Sequence, residues 1–93
     1  MVSKPNKELG YYVYILTCSD STLYTGITND ISKRLKKHNQ GIGSRYTSAR
    51  TPVELSFSEY CETKSEALKK EYLIKQLSRK EKLLLIEGKR ITE

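Results

Sequence analysis

Five side chains that could take part in acid–base or charge-stabilising chemistry follow one another in order along the chain. They are Tyr14, Tyr24, Arg34, His38 and Glu71. The two tyrosines occupy similar settings, Tyr12-Val13-Tyr14 and Tyr24-Thr25-Gly26, in two β-rich runs. Arg34 precedes His38 by four residues, which places the two on one face of a helix. The tyrosines alone would fit the core of any β-hairpin, but the ordered set favours a shared site.

Glu71 is the most informative of the five because its neighbours are apolar. On a helical projection it falls inside a stripe formed by Ala67, Leu68, Ile74 and Leu77. A carboxylate in such a stripe is costly unless it is paired or binds a cation. Lys75, four residues on, could pair with it at the margin of the stripe. The sequence leaves the cation site and the ion pair equally open.

The positive charge of the chain is concentrated in one stretch. The net charge is +6, with 17 basic and 11 acidic residues. Residues 31–53 contain six basic residues and no acidic one, whereas basic and acidic residues cancel elsewhere. Because a solvated helix face normally mixes signs, this stretch favours contact with phosphates of a nucleic acid. The candidate contacts besides Arg34 are Lys33, Lys36, Lys37, Arg45 and Arg50.

The two tyrosines require a β-hairpin with a particular register. Tyr11–Thr17 is mostly aromatic and β-branched, and Leu23–Thr28 returns as a second strand after a polar turn. Since side chains alternate along a strand, Tyr14 and Tyr24 share a face only if an even-numbered residue such as Gly26 lies opposite Tyr14. We therefore predict a three-residue or bulged connection around residues 19–21.

Capping and periodicity place the basic stretch on a helix and a loop. Asp30 is a suitable N-cap, and the spacing of apolar residues predicts a helix over Ile31–Asn39 that ends at Gly41. Residues 40–52 are polar and show no periodicity, so we expect a loop.

The second half of the chain predicts a strand and two helices. Residues 53–61 alternate, and the members expected on the buried face are Val53, Leu55, Phe57 and Cys61. Capping boxes beginning at Thr63 and Ser78 predict two helices that meet at a sharp corner. The resulting order, β-β-α-β-α-α, predicts an α+β domain with a three-stranded antiparallel sheet flanked by three helices.

Length and composition favour one domain. We expect it over residues 10–87, between a mobile tail at residues 1–9 and a second tail at residues 88–93. No apolar run is long enough to cross a membrane, and the N-terminus lacks the apolar core of a signal peptide. Cys18 and Cys61 match neither a zinc nor a disulfide spacing, so we expect a cytoplasmic protein with reduced thiols.

In the order of these motifs the chain resembles the GIY-YIG nuclease domain. That family is named for two short strand motifs. They are followed by an arginine on the first helix and by a glutamate on a later helix. Tyr12-Val13-Tyr14 and Tyr24-Thr25-Gly26 stand at the two motifs, and Arg34 and Glu71 stand at the other two positions. The likeness runs through nearly the whole chain and fits the small single-domain, YhbQ-like branch.

The resemblance implies a metal-dependent endonuclease that hydrolyses DNA phosphodiester bonds in repair or recombination, with low sequence preference. It implies one divalent cation, Mg²⁺ or Mn²⁺, bound by Glu71. Arg34 would hold the scissile phosphate, and His38 would assist proton transfer or bind phosphate. Tyr14 and Tyr24 would position or deprotonate the attacking water, and the general base could be either.

The chain departs from the family pattern at the site. Tyr12 replaces the first-motif glycine, Ile27 stands where some repair relatives have a basic residue, and His38 stands where other members have tyrosine. We also expect no separate DNA-targeting domain, which leaves substrate choice open. The alternatives are a non-catalytic nucleic-acid-binding module and an adaptor for a larger repair protein. The retained site residues favour the enzyme.

Overall fold

The computed structural model describes residues 10–88. Its elements are β1 (Tyr11–Thr17), β2 (Leu23–Thr28), α1 (Ile31–Asn39), α2 (Arg45–Ser48), β3 (Glu54–Cys61), α3 (Lys64–Lys75) and α4 (Arg79–Ile86). The strands form one antiparallel sheet in the order β2-β1-β3, which confirms the predicted α+β fold. No helix among these is long and apolar enough to cross a membrane. The predicted tails lie outside the described residues, except for Gly88.

The hairpin turn sets the register on which the two tyrosines depend. The Cys18 N–H donates to Thr22 O (2.8 Å), and the Ser21 N–H donates to Cys18 O (2.9 Å). Ser21 has a φ of 70°, in the left-handed region. This is a three-residue loop in which a type I turn is followed by a left-handed residue. The prediction of a three-residue connection is confirmed, and Tyr14 lies opposite Gly26.

The sheet has an apolar core on each face. The face of Tyr14 and Leu16 packs against α1, and its core also contains Cys18, Val53, Tyr24, Ile31 and Leu35. The face of Val13 and Ile15 packs against α3 and α4, with Ile74, Leu23, Ile27, Phe57, Leu85 and Ile86. Both cysteines are buried free thiols. Because β1 is the central strand, four consecutive residues from Val13 to Leu16 are at most 2% exposed.

The prediction that the apolar residues of β3 all lie on one buried face is wrong for half of the strand. Phe57 lies opposite Ile15, but Leu55 lies opposite the next residue of β1, Leu16. Ser56 is therefore an extra residue, and this β-bulge turns Leu55 and Phe57 to opposite faces. The alternation of apolar and polar residues in the sequence cannot reveal a bulge. The inserted residue leaves that alternation intact but turns the side chains that follow it to the other face of the sheet.

Helices α3 and α4 form the predicted corner, with small differences. Ser78 and Glu81 make the full capping box. At α3, Thr63 accepts from the Glu66 N–H, but the Glu66 carboxylate accepts from the Glu62 N–H instead of closing the box. Leu68, predicted in the buried stripe of α3, is 46% exposed, so the stripe is narrower than expected and runs through Ala67 and Ile74.

The predicted loop at residues 40–52 contains the short helix α2. Ser44 is its N-cap and accepts a hydrogen bond from the Thr47 N–H. The loop prediction was wrong here because one helical turn is too short to show periodicity. The helix contacts α1, and that contact brings a further residue to the candidate site.

Candidate active site

Tyr14 lies across the edge strand at Gly26. A Cβ atom on residue 26 would lie 2.7 Å from Tyr14 Oη and 2.9 Å from its Cζ. Because side chains cannot approach so closely, glycine is the residue that lets the ring of Tyr14 lie there. The glycine of the second motif therefore has a steric function, and the hairpin register supplies the alignment.

Tyr14 and His38 form a buried hydrogen-bonded pair. The Tyr14 hydroxyl and His38 Nε2 are 2.9 Å apart, and the other ring nitrogen, Nδ1, is 2.7 Å from Thr47 Oγ1. His38 and Thr47 are fully buried. His38 comes from α1, Tyr14 from β1 and Thr47 from α2, so three separate elements converge on the imidazole.

Burial keeps both members of the pair in their neutral forms. The pKa of Tyr14 is raised, chiefly by burial, and the Arg34 guanidinium beside it opposes the rise. Tyr24 and the Glu71 carboxylate add to the rise. The pKa of His38 is lowered, first by burial and then by the positive charge of Arg34. At neutral pH the site therefore contains a neutral imidazole and a protonated phenol.

Tyr24 joins this pair through its ring. Its centroid lies 5.2 Å from that of His38 and 6.5 Å from that of Tyr14. The other neighbour of Tyr24 is Tyr46 of α2, which stacks on it at 6.0 Å. Tyr14 and Tyr24 thus share a face, as the site requires.

Arg34 is partly buried, with one nitrogen left unpaired. Its Nε is buried and has no hydrogen-bond partner among the described residues. The side chain borders a cavity of about 180 Å³ at the start of α1, lined by Thr28, Asn29, Asp30, Lys33, Arg34 and Lys37. The guanidinium is therefore available to an anionic ligand, with two lysines at the same opening.

Glu71 lies on the sheet-facing stripe of α3, and its side chain is 20% exposed. Its carboxylate is 3.3 Å from Lys75 Nζ, which is the ion pair considered from the sequence. It also acts on Tyr14 by charge, since it contributes to the raised pKa of that hydroxyl. The ion pair is made, and the carboxylate still belongs to the electrostatic surroundings of the site.

The residues fit a divalent cation that water largely surrounds. Among residues 10–88, no group of three His, Cys, Asp or Glu side chains is arranged to bind a metal. Mg²⁺ keeps several waters and binds through one or two carboxylates together with substrate phosphates. A single carboxylate, that of Glu71, is consistent with that mode and inconsistent with a closed structural metal site.

The predicted phosphate contacts separate into two groups. Lys33 and Lys37 line the same cavity as Arg34. Lys36 and Arg45, which are close to them in sequence, are exposed. Arg50 instead makes contacts within the protein: its Nε is 3.0 Å from the Asp20 carboxylate, and its guanidinium lies over the Tyr46 ring. It also donates to Tyr46 O. Arg50 holds α2 against the hairpin turn.

The sequence analysis missed two residues that shape the site, Thr47 and Gly43. A Cβ atom on residue 43 would lie 2.5 Å from His38 Nδ1, so this glycine allows the chain to pass against the imidazole. Ser44 is a residue type favoured at N-caps, and this alone could have indicated the start of α2. No sequence signal connects Thr47 to His38, because a contact between helices determines it.

Several proteins are similar in sequence to this chain over most of its length. A UPF0213 protein of Clostridium perfringens is 54% identical over 82 residues, which cover 88% of each chain. A UPF0213 protein of Staphylococcus saprophyticus is 55% identical over 76 residues, which cover 82% of this chain and 93% of the relative.

Two solution NMR structures have a similar fold. The UPF0213 protein of Bacillus halodurans is 44% identical, with a TM-score of 0.57, and the match covers 86% of this chain and 85% of that one. A protein from E. faecalis is 37% identical, with a TM-score of 0.59, and covers 95% of this chain and 90% of its own. The GIY-YIG catalytic domain matches residues 10–84. Because that match includes both tyrosine motifs, Arg34, His38 and Glu71, the chain belongs to the GIY-YIG family, whose members are in general nucleases.

Proposed function

We propose that this protein is an endonuclease that hydrolyses DNA phosphodiester bonds with one divalent cation bound at Glu71. The observation that carries the proposal is the buried Tyr14–His38 hydrogen bond beside Arg34, whose Nε has no partner among the described residues. Buried donors are nearly always paired, and each exception calls for an explanation. An anionic ligand at Arg34 supplies one.

Arg34 is suited to hold the phosphate that is cleaved. A guanidinium presents its donors in a planar fork that matches two phosphate oxygens. Lys33 and Lys37 border the same cavity and would contact neighbouring phosphates of the strand. These contacts fix the position of the backbone and carry no sequence information, so we expect weak sequence preference.

Tyr14 and His38 are suited to move a proton. A buried Tyr14 with a raised pKa stays protonated at neutral pH, so it can take a proton from water only if its own proton leaves. His38 Nε2 lies within hydrogen-bond distance to receive that proton. Tyr24 closes the other side of the pair and would help to orient the water.

Glu71 would bind the cation through its carboxylate, with waters and phosphate oxygens as the remaining ligands. When bound, Mg²⁺ or Mn²⁺ lowers the pKa of a coordinated water and stabilises charge on the phosphoryl group. The Lys75 side chain is 54% exposed, so it can turn into solvent when a cation takes its place.

A non-catalytic nucleic-acid-binding module is the second candidate, and the Glu71–Lys75 ion pair favours it. If this pair is the whole role of Glu71, the basic residues of α1 would still bind phosphate but nothing would activate water. DNA as the substrate, and repair or recombination as the setting, are proposed from the nuclease family. The same holds for a larger repair partner.

The deciding experiment measures cleavage and binding on one variant. Purified protein is incubated with branched, nicked and single-stranded DNA in Mg²⁺, in Mn²⁺ or in chelator. We expect metal-dependent cleavage that Glu71→Gln lowers by about 100-fold or more, while DNA affinity is kept or improved because a negative charge near phosphate is removed.

A matched control keeps the same chemical change away from the site. Glu54→Gln, on the exposed start of β3, should retain full cleavage. Full activity of Glu71→Gln, or cleavage that persists in chelator, would refute the proposed role of Glu71. Binding without cleavage in every condition would establish the second candidate.

A further inference from the structure

Thr47 touches the imidazole on the side opposite to Tyr14. Its Oγ1 is 2.7 Å from His38 Nδ1, and both side chains are fully buried. The oxygen also lies 2.9 Å from Ser44 Oγ, and that Oγ accepts a hydrogen bond from the Thr47 N–H (3.1 Å). A chain of hydrogen bonds therefore runs from Tyr14 through His38 and Thr47 to Ser44.

The direction of donation along this chain of hydrogen bonds depends on which nitrogen of the His38 ring has the proton. A neutral imidazole has one N–H donor and one acceptor nitrogen. Burial and the positive charge of Arg34 keep His38 neutral, so it donates to one hydroxyl and accepts from the other. Two arrangements are possible, with the proton on Nδ1 or on Nε2.

Arg34 decides between the two arrangements. Arg34 and Tyr14 line one narrow pocket, the positive charge of Arg34 opposes the rise in the Tyr14 pKa, and a guanidinium has donors only. A hydroxyl next to a cationic donor turns its lone pairs toward that donor and its proton away from it. The Tyr14 proton therefore points to His38 Nε2, which must be the acceptor.

Thr47 then completes the assignment. With Nε2 as acceptor, Nδ1 has the proton and donates to Thr47 Oγ1. The Thr47 hydroxyl has two lone pairs and one proton, so it can accept from His38 while it donates to Ser44 Oγ. Each side-chain nitrogen and oxygen from Tyr14 to Ser44 then has at least one hydrogen-bond partner, which is the expected state of a buried network.

We infer that Thr47 is a positioning residue that holds His38 in the Nδ1–H tautomer, so that Nε2 is free to accept the Tyr14 proton. The inference deepens the proposed nuclease function and rests on it for its catalytic meaning. In the reaction, the attacking water gives a proton to Tyr14 Oη while Tyr14 gives its own proton to His38 Nε2. The hydroxide oxygen bonds to phosphorus, and the leaving oxygen departs with its electron pair and is protonated by solvent.

The test uses the fact that the sequence contains a single histidine. Nitrogen NMR of isotope-labelled protein reports directly whether Nδ1 or Nε2 has the proton, and it requires no DNA and no metal. We expect Nδ1–H in the wild type and in Thr47→Ser, which retains the hydroxyl. Thr47→Val has the same shape without the hydroxyl, and we expect its proton to shift toward Nε2, because a buried Nδ1–H without an acceptor costs more than turning the Tyr14 hydroxyl away from Nε2.

Cleavage assays test the catalytic meaning on the same proteins. Thr47→Val should lower kcat by about tenfold or more with little change in KM, by analogy with the loss when the hydrogen-bond partner of a metal-binding histidine is removed. Thr47→Ser should restore most of the activity. Ser48→Ala is the matched control, since the hydroxyl of this exposed residue of α2 donates to the Arg45 carbonyl, and it should behave as wild type.

The two readouts separate failure of the inference from failure of the proposed function. An Nε2–H tautomer in the wild type, or an unchanged tautomer in Thr47→Val, would overturn the inference whatever the cleavage result. The expected spectra from a protein that never cleaves would support the assignment of Thr47 and contradict the nuclease function alone. If Thr47→Val does not fold, Thr47→Ala provides the same comparison.

Discussion

Gly43→Ala should damage the site through packing alone. The added Cβ would lie 2.5 Å from His38 Nδ1 and 2.7 Å from the His38 Cα. The second contact is with backbone, so rotation of the imidazole cannot relieve the clash. Either the segment before α2 or the helix α1 must move, and both movements separate His38 from Thr47 or from Tyr14.

The size of the effect follows from overpacking of a buried position. Forcing an extra methyl group into a packed interior costs about 1–3 kcal/mol. For a domain of this size each kcal/mol lowers Tm by about 4–8 °C, so Gly43→Ala should lower Tm by roughly 4–24 °C. It should also change the His38 nitrogen spectrum and reduce cleavage, because either movement disturbs a direct hydrogen bond of His38, to Tyr14 at 2.9 Å or to Thr47 at 2.7 Å.

Gly41→Ala is the informative comparison, two residues away. Gly41 has a φ of +84° and nothing within 4 Å of an added Cβ, so alanine there is strained in its backbone but meets no neighbour. Thermal melts should show a loss of about 1 kcal/mol for Gly41→Ala, with an unchanged His38 spectrum and unchanged turnover at a temperature where both proteins are folded. If Gly43→Ala keeps the wild-type Tm and His38 signals, the close packing against the imidazole is wrong.

Two further predictions concern pH and salt. The pKa of His38 is lowered in the folded protein, so as pH falls below about 6.5 the unfolded chain binds a proton that the folded protein excludes. The free energy of unfolding, measured by urea titration, should therefore decrease from about pH 7 to pH 5, and His38→Gln should remove this component; a flat profile in the wild type would contradict it. Neutralising Lys33 and Lys37 together should reduce the dependence of DNA affinity on salt by up to about two units of slope, because two phosphate contacts are lost. Arg50→Gln should leave that slope unchanged and lower Tm instead, since Arg50 binds Asp20 and Tyr46; a reduced slope would return it to the DNA interface.

Local rules in the sequence account for the elements and for the pairing of the tyrosines. The turn after Thr17, the N-cap at Asp30 and the capping box at Ser78 each depend on residues a few positions apart. The register of the hairpin could be predicted because Tyr14 and Tyr24 lie on a common face only when an even-numbered residue lies opposite Tyr14. Where the cause is local, the sequence contains enough to infer it.

The parts that escaped prediction depend on contacts between distant segments. The bulge at Ser56 is stabilised where Ser56 Oγ meets Thr17 Oγ1 at 2.6 Å, across 39 residues of chain. Arg50 sits in a basic stretch and is predicted to bind phosphate, but nothing near it in the sequence indicates its pairing with Asp20 of the hairpin turn. Thr47 became a neighbour of His38 only when α2 packed on α1. Composition and periodicity do not indicate such contacts between residues that are distant in sequence.

The placement of Tyr14 on the central strand has a consequence for how the site loses its shape. β1 is hydrogen-bonded on both edges and covered on both faces, so its backbone amides can exchange with solvent only through the largest openings of the domain. Thr47, by contrast, is supplied by a helix of one turn, which can detach at far lower cost. The two ends of the hydrogen-bonded chain therefore differ in local stability. Mild heating should release His38 from its outer partner well before the tyrosine strand opens, so the protein would pass through a folded but misaligned state before it unfolds.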